Sequence, residues 1–209
     1  MEQIPIPAKE RLLSLMRILE QTKGRTLSSA QIEALTGWSS NTIRKDISYL
    51  GDDNSVKGSA VGYELEALLP AIRNALGLNK KRKFCIVGLG RLGSAYLNLE
   101  NFDLGEFELA AGFDINVNRT EILPSPVPLY PAFKFGEVIK RFGIEIALLC
   151  VPPAQAQSAA EKLAAAGIRG IVNFAPTALN LSPEIAVQNV YMVDQLRAIA
   201  LKITPQNAA

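Results

Sequence analysis

The chain has 209 residues, 48% of them hydrophobic and 20% charged, a composition that builds one globular domain or two small ones and excludes a disordered tail. It contains no histidine and only two cysteines, Cys85 and Cys150, which excludes imidazole metal ligands, Ser-His or Cys-His catalysis, a disulfide framework and a cysteine-rich zinc site; no metal is expected. No uncharged apolar run reaches the roughly 18 residues of a spanning helix, and the opening MEQIPIPAKERLL lacks the layout of a signal peptide, so no membrane partner is expected and the cytoplasm is the default address.

The formal net charge of +2 is unevenly spread: residues 1–83 carry 13 basic and 9 acidic side chains, residues 84–209 carry 9 and 11. A basic half hints at a polyanionic partner. Leu12, Leu15, Met16 and Leu19 recur at helical spacing and predict an amphipathic helix over residues 8–22, stopped by Gly24. Ser28 and Gln31 have capping-box spacing and open a short helix that Gly37 closes. A third helix starts at Ser39 or Ser40 and runs through TIRKDISYL. Residues 51–62 read as turn and loop, 61–65 as a returning strand, and 68–76 as a further helix ended by Gly77. At 100° per residue, Ile43, Ile47 and Leu50 form the buried stripe of the third helix, and Asn41, Arg44, Lys45, Ser48 and Tyr49 fan across its other side. Such donors suit phosphates and base edges, and the helix, turn and second helix match helix-turn-helix geometry, with the loop around Lys57 as a wing. A solvated amphipathic helix in a small helical domain presents the same face, so pattern alone leaves both readings open.

From Phe84 the texture changes. Apolar runs at FCIVG, ELAAGFD, IEIALLCV and RGIVNFA alternate with stretches able to hold helices, which predicts βαβ units around a parallel sheet and a boundary near residues 77–83, where Lys80, Lys81, Arg82 and Lys83 read as a solvated linker. Gly88, Leu89, Gly90, Arg91, Leu92 and Gly93 spell G-x-G-x-x-G directly after the first run and before a helix-like stretch, and Asp114 ends the next strand 21 residues after Gly93. Gly88 permits the tight turn, Gly90 admits a pyrophosphate, and Gly93 lets helix and strand pack closely. Asp114 is positioned to accept ribose hydroxyls and to repel a 2′-phosphate, which favours NAD(H) over NADP(H); Arg119, five residues on, is not read as reversing this. Both cysteines fall in strands and read as buried small hydrophobes.

Together the halves resemble the redox-sensing transcriptional repressors called Rex. The segments IPIPAKERLLSLMRILE, IRKDISYLG, VGYEL, CIVGLGRLGSA, AGFD, IEIALLCVP, AAGIRGIVNFAP and NVYMVDQLRAIAL carry the resemblance, which covers nearly the whole chain. It implies an α/β protein with an N-terminal winged helix-turn-helix domain (1–79), a Rossmann-type domain binding NAD(H) (82–190), and a C-terminal helix and tail (191–209) exchanged between two subunits. It implies a homodimer that binds double-stranded operator DNA and releases it when NADH rises. DNA contact maps onto Asn41, Thr42, Arg44, Lys45 and Tyr49, and onto the wing at Lys57 and Gly58; the face of the third helix adds Ser48. The cofactor site maps onto the glycine turn, Asp114, Val151, Pro152, Asn173, Phe174, Ala175 and Pro176, and the start of the last helix at Tyr191 is read as joining it at the nicotinamide end. The chain departs from the family at Leu50, in a wing about three residues longer that carries Asp52 and Asp53 and has Lys57 where an Arg is common, and at the signalling positions. There the family's Tyr and Asp correspond to Leu99 and Tyr191, while Arg17 is kept, so Asp194 is the expected substitute partner of Arg17.

The expected protein is therefore a regulator and not an enzyme. An NAD-dependent dehydrogenase lacks support because no histidine is present and the roughly 125 residues after Phe84 leave no substrate domain. A repressor responding to CoA or an acyl-CoA is the other rival, and Asp114 argues against it.

Overall fold

The computed structural model describes residues 4–51, 56, 62–98 and 104–203, and the chain divides into two compact units, 1–80 and 81–209. In the first unit, α1 (Ile6–Gln21) buries Ala8, Leu12, Leu15, Met16 and Leu19, the stripe that its spacing dictates. A two-residue strand β1 (Thr26–Leu27) leads into α2 (Ser29–Thr36), whose capping box joins Ser28 and Gln31 in both directions. Gly37 ends α2 with φ +74°, and Ser39 caps α3 (Ser40–Ser48) by accepting the Thr42 N–H. Glu33 of α2 accepts from both the N–H and the hydroxyl of Ser40, which holds its carboxyl below the usual range and ties the start of α3 to α2.

The returning strand is shorter than 61–65 suggests: β2 (Tyr63–Glu64) pairs antiparallel with β1, a partner the local pattern does not reveal. Helix α4 (Leu65–Ala75) begins three residues before the expected 68, because Leu65, Leu68 and Ile72 all join the core that α1 covers, and this packing tolerates Pro70 inside the helix. Most of the wing, with Asp52, Asp53, Lys57 and Gly58, lies outside the described residues.

In the second unit the elements run β3 (Arg82–Val87), α5 (Arg91–Leu97), β4 (Phe107–Asp114), α6 (Val117–Ile122), β5 (Leu129–Pro131), α7 (Phe135–Phe142), β6 (Ile144–Leu149), α8 (Pro153–Ala166), β7 (Gly170–Asn173), β8 (Ala186–Asn189) and α9 (Met192–Ile203). Among the described residues the strands form one parallel sheet in the order β5-β4-β3-β6-β7-β8. This is a doubly wound arrangement whose strand order reverses between β3 and β6. Alternation along β3 supplies both layers: Cys85 and Val87 face the core under α7 and α8, and Phe84 and Ile86 face the core that includes Leu97 of α5. Strands β5 and β8 carry no long apolar run and join the sheet only through pairing with β4 and β7. Helix α9 forms over the expected stretch but buries none of its side chains within the described chain; Met192, Leu196 and Ile199 are 73%, 62% and 54% exposed.

Candidate functional site

The glycine-rich turn sits at the carboxyl end of β3, where the strand order reverses, the place at which open α/β sheets bind ligands. Gly88 has φ +90°, and a Cβ there would lie 2.7 Å from the Cys150 carbonyl oxygen. A Cβ on Gly93 would lie 1.9 Å from the Gly88 carbonyl oxygen, so α5 can pack on the turn only without one. A Cβ on Gly90 would meet nothing within 4 Å. The glycine pattern thus leaves open space at its middle residue and close packing at its ends, which fits a pyrophosphate lying over the turn.

Two clefts flank the turn. The first is a cavity of 640 Å³ that brings together Gly88, Gly90, Asp114, Val151 and Pro152 with Ile115, Arg119, Cys150 and the α8 side chains Gln155, Ser158 and Lys162. The second, of 800 Å³, is lined by Leu92, Phe174, Pro176 and Tyr191 together with Tyr96, Thr177 and the first turns of α9. The remaining expected cofactor residues do not line either cleft. Leu89, Gly93, Asn173 and Ala175 are buried, and Arg91 is exposed at the start of α5.

Asp114 is 3% exposed and holds the turn as well as facing the cleft. Its Oδ2 accepts the Leu89 N–H at 2.7 Å and its Oδ1 accepts the Asn116 N–H at 2.8 Å, while Arg119 Nη1 approaches Oδ2 at 3.4 Å. Asn173, fully buried, organises the other side: its Nδ2 donates to the Thr177 carbonyl at 2.8 Å and to Asn189 Oδ1 at 3.0 Å, and its Oδ1 accepts the Ala175 N–H at 3.1 Å. The Tyr191 hydroxyl donates to the same Thr177 carbonyl at 2.6 Å, so the residue before α9 is tied to the turn after β7. In the second cleft the Asp194 carboxylate is paired with Arg197 at 2.9 Å. The remaining wall is largely apolar and aromatic, with Tyr96 and Phe174 rings 5.2 Å apart.

Cys150 departs from the expectation of a wholly buried thiol, because it lies just past β6 and forms part of the first cleft's wall. Burial pushes its thiol up to about 12, and raises that of Cys85 further, so neither is a nucleophile at neutral pH. The residues that sequence reasoning missed, Gln155, Ser158 and Lys162, share one face of α8. Their spacing was visible, but only strand order reveals that this face adjoins the glycine turn. Among the described residues, no group of three or more metal-binding side chains occurs, and no helix is long and apolar enough to cross a membrane.

In the first unit, Asn41, Arg44, Lys45 and Ser48 are exposed on α3, Thr42 and Tyr49 are half-buried, and Ile43 and Ile47 face the core. Asp46, between the basic pair and Ile47, is buried instead of solvated. It accepts a two-pronged contact from Arg11 of α1, Nε to Oδ2 at 2.6 Å and Nη2 to Oδ1 at 2.8 Å. Arg44 reaches Ser29 Oγ and Asn41 Oδ1 at 3.3 and 3.4 Å, weak contacts that leave its guanidinium on the surface. Arg17 is exposed on α1, and Leu99 lies outside the described residues.

Comparison with known proteins matches residues 79–177 to the CoA binding domain family and residues 3–48 to a DNA-binding protein N-terminus family. The chain is 38% identical to the redox-sensing transcriptional repressor Rex of Thermus thermophilus, covering 96% of this chain and 94% of that protein. It is 34% identical to the Rex repressor of Carboxydothermus hydrogenoformans over 96% of this chain and 97% of that one. Among solved structures it is similar to RSP, a Rex-family repressor, with a TM-score of 0.83 at 28% identity over 96% of this chain and 93% of that one. RSP in complex with NAD+ and operator DNA gives a TM-score of 0.84 at 28% identity, covering 96% and 92%, and RSP with NADH gives 0.82 at the same identity, covering 97% and 95%.

Proposed function

This chain belongs to the Rex family of redox-sensing transcriptional repressors, and on that premise we propose that it binds operator DNA as a homodimer and releases it when NADH fills the clefts beside the glycine turn. One observation carries the reading: a single chain joins an exposed, basic α3 to a glycine turn with open space at Gly90, set where the sheet order reverses. The protein is then a sensor with no catalytic residues, working on DNA in the cytoplasm. Its parts are a DNA-binding domain (1–79), a nucleotide-binding domain (82–190) and an exchanged helix and tail (191–209).

In this reading Asn41, Thr42, Arg44, Lys45, Ser48 and Tyr49, with Lys57 and Gly58 of the wing, contact DNA. The glycine turn receives the pyrophosphate, and Asp114, Val151 and Pro152 receive the adenosine. Asn173, Phe174, Ala175, Pro176 and Tyr191 form or support the nicotinamide end. The two redox forms share everything except that ring, which is cationic when oxidised. The second cleft offers the cation no uncompensated carboxylate, since Asp194 is paired with Arg197, and burial of an uncompensated cation is penalised. The neutral reduced ring is therefore favoured. NADH acts on DNA only through a difference in affinity for two arrangements of the dimer. Helix α9, whose apolar side chains are unburied in one chain, is the element we assign to the exchange, with Arg17 and Asp194 as the coupling residues.

The test is a gel shift with DNA from upstream of the protein's own gene and of neighbouring redox genes, with and without NADH. Specific binding that NADH weakens and NAD+ does not is the expected outcome; an operator complex indifferent to NADH overturns the reading. The match to the CoA binding domain family favours a second reading, the same repressor answering to CoA, and isothermal titration with NADH, NAD+ and CoA separates the two.

A further inference from the structure

Helices α2 and α3 meet through a ladder of two polar rungs. Ser29 and Glu33 stand one turn apart on α2, and Ser40 and Arg44 stand one turn apart on α3. At the first rung Glu33 Oε2 accepts the Ser40 N–H at 2.9 Å and also the Ser40 hydroxyl. At the second rung the Arg44 guanidinium donates to Ser29 Oγ at 3.3 Å. The ladder therefore sets an exposed carboxylate about one turn, roughly 5–6 Å, from the side chain assigned to base reading. An arginine spans that distance, yet Arg44 makes no ion pair among the described residues. Ser40 accounts for this. Its hydroxyl and then its N–H hold the Glu33 carboxyl below the usual range, ahead of the attraction of Arg44. An exposed ion pair gains little, so two hydrogen bonds to Ser40 outweigh a move of Glu33 toward Arg44. The difference matters for recognition. A guanidinium forked onto Glu33 has its donors committed and its charge neutralised, whereas one resting on a serine oxygen exchanges that contact for a base edge.

We propose that Ser40 is a positioning residue for operator reading: it holds Glu33 at the start of α3, so that the Arg44 guanidinium stays available to DNA. The proposal rests on α3 being the DNA-reading helix. Ser29 completes the arrangement as a weak resting partner that DNA displaces.

A double-mutant cycle in the full chain tests it, read by anisotropy on the operator found by gel shift and by thermal unfolding. Ser40→Pro removes both donors. It preserves the helix start, because Ser40 is the first residue of α3, where an N–H has no intrahelical partner and proline is favoured. Ser39 before it is already extended, at φ −62° and ψ 145°, as a residue preceding proline must be. Ser40→Pro should weaken operator binding about tenfold and relax preference at the same base pair as Arg44→Ala. Ser40→Ala, which removes the hydroxyl alone, should show the same effect at smaller size, and Ser40→Thr, which keeps both donors, should bind as the wild type does. Glu33→Gln should change affinity by no more than about twofold in the wild type but recover about tenfold in Ser40→Pro, and the recovery should vanish when Arg44→Ala is added. A merely structural defect at the start of α3 would lower the unfolding midpoint and would not be recovered by Glu33→Gln, which adds no contact there. Undiminished operator binding in Ser40→Pro, or an equal effect of Glu33→Gln with and without it, overturns the proposal while leaving the DNA reading intact. Wild-type affinity in Arg44→Ala overturns the assignment of Arg44 and the proposal with it.

Discussion

Arg44 and Lys45 are adjacent in sequence and both exposed on α3, yet they should fail differently when removed. Arg44→Ala should weaken operator binding by about 1–3 kcal/mol and relax preference at one base pair, as expected of a guanidinium reading a base edge. Lys45→Ala should weaken binding evenly across sequences and flatten the salt dependence by about one phosphate contact. Anisotropy titrations across salt concentrations and operator variants check both, and wild-type affinity in either variant removes that residue from the interface. Asp114→Ala should reduce NADH affinity and narrow the gap to NADPH. Because it strips an acceptor from the Leu89 N–H, it should also lower stability by about 1–3 kcal/mol, read from chemical denaturation. The thiols carry a pH prediction. Burial raises both folded values, so above about pH 8.5 the unfolded thiols ionise while the folded ones stay protonated. Folding stability should therefore fall as pH rises past that value, and iodoacetamide should not modify either cysteine of the native protein at pH 8.

Among the elements, α3 carries a buried charge that periodicity alone does not place. Spacing correctly put Ile43 and Ile47 inside and Arg44 and Lys45 outside, but Asp46 is also buried, where a charge needs a partner. That partner, Arg11, is 35 residues away on α1, so no local pattern announces it. The fork fixes α3 against α1 and thereby aims its exposed face. Asp46→Ala leaves Arg11 with its charge unpaired and should lower stability by about 3 kcal/mol, the lower end for a broken buried pair because Arg11 is partly exposed. Thermal unfolding of the variant checks this. In α9 the observed partner of Asp194 is Arg197, one turn on, and an ion pair with Arg17 would have to displace it. Asp194→Asn is expected to leave NADH binding at the glycine turn intact and to weaken the effect of NADH on operator affinity. Release by NADH as complete as in the wild type would show that Asp194 is not the coupling residue.

For the molecule as a whole, the exposed apolar face of α9 and the dinucleotide site are parts of one prediction. A homodimer displays two α3 helices, so its operator should be near-palindromic, with half-sites about one helical turn or a multiple apart. A chain ending before Met192 should lose the dimer in sedimentation and bind a full operator no better than a half-site. If the truncated chain still sediments as a dimer, α9 is not the exchanged element. A spacing of about 34 Å tolerates little error, so a modest rotation on NADH binding suffices to abolish simultaneous docking.

Features with local causes were legible in the chain before any tertiary contact was known. The capping box at Ser28, the stripe of α1, the four central strands and the glycine turn each rest on spacings of a few residues, whose steric and hydrogen-bonding demands act wherever the chain carries them. Tertiary structure alone decided the rest. Strands β1, β5 and β8 exist because β2, β4 and β7 pair with them, and the α8 face with Lys162 lines the first cleft because β6 lies beside β3. Asp114 and Asn173 each satisfy buried partners brought from other elements, as Asp46 does with Arg11. Burial and pairing across long sequence separations follow from which elements meet, and that is settled by the sum of all packing, not by any one segment's periodicity.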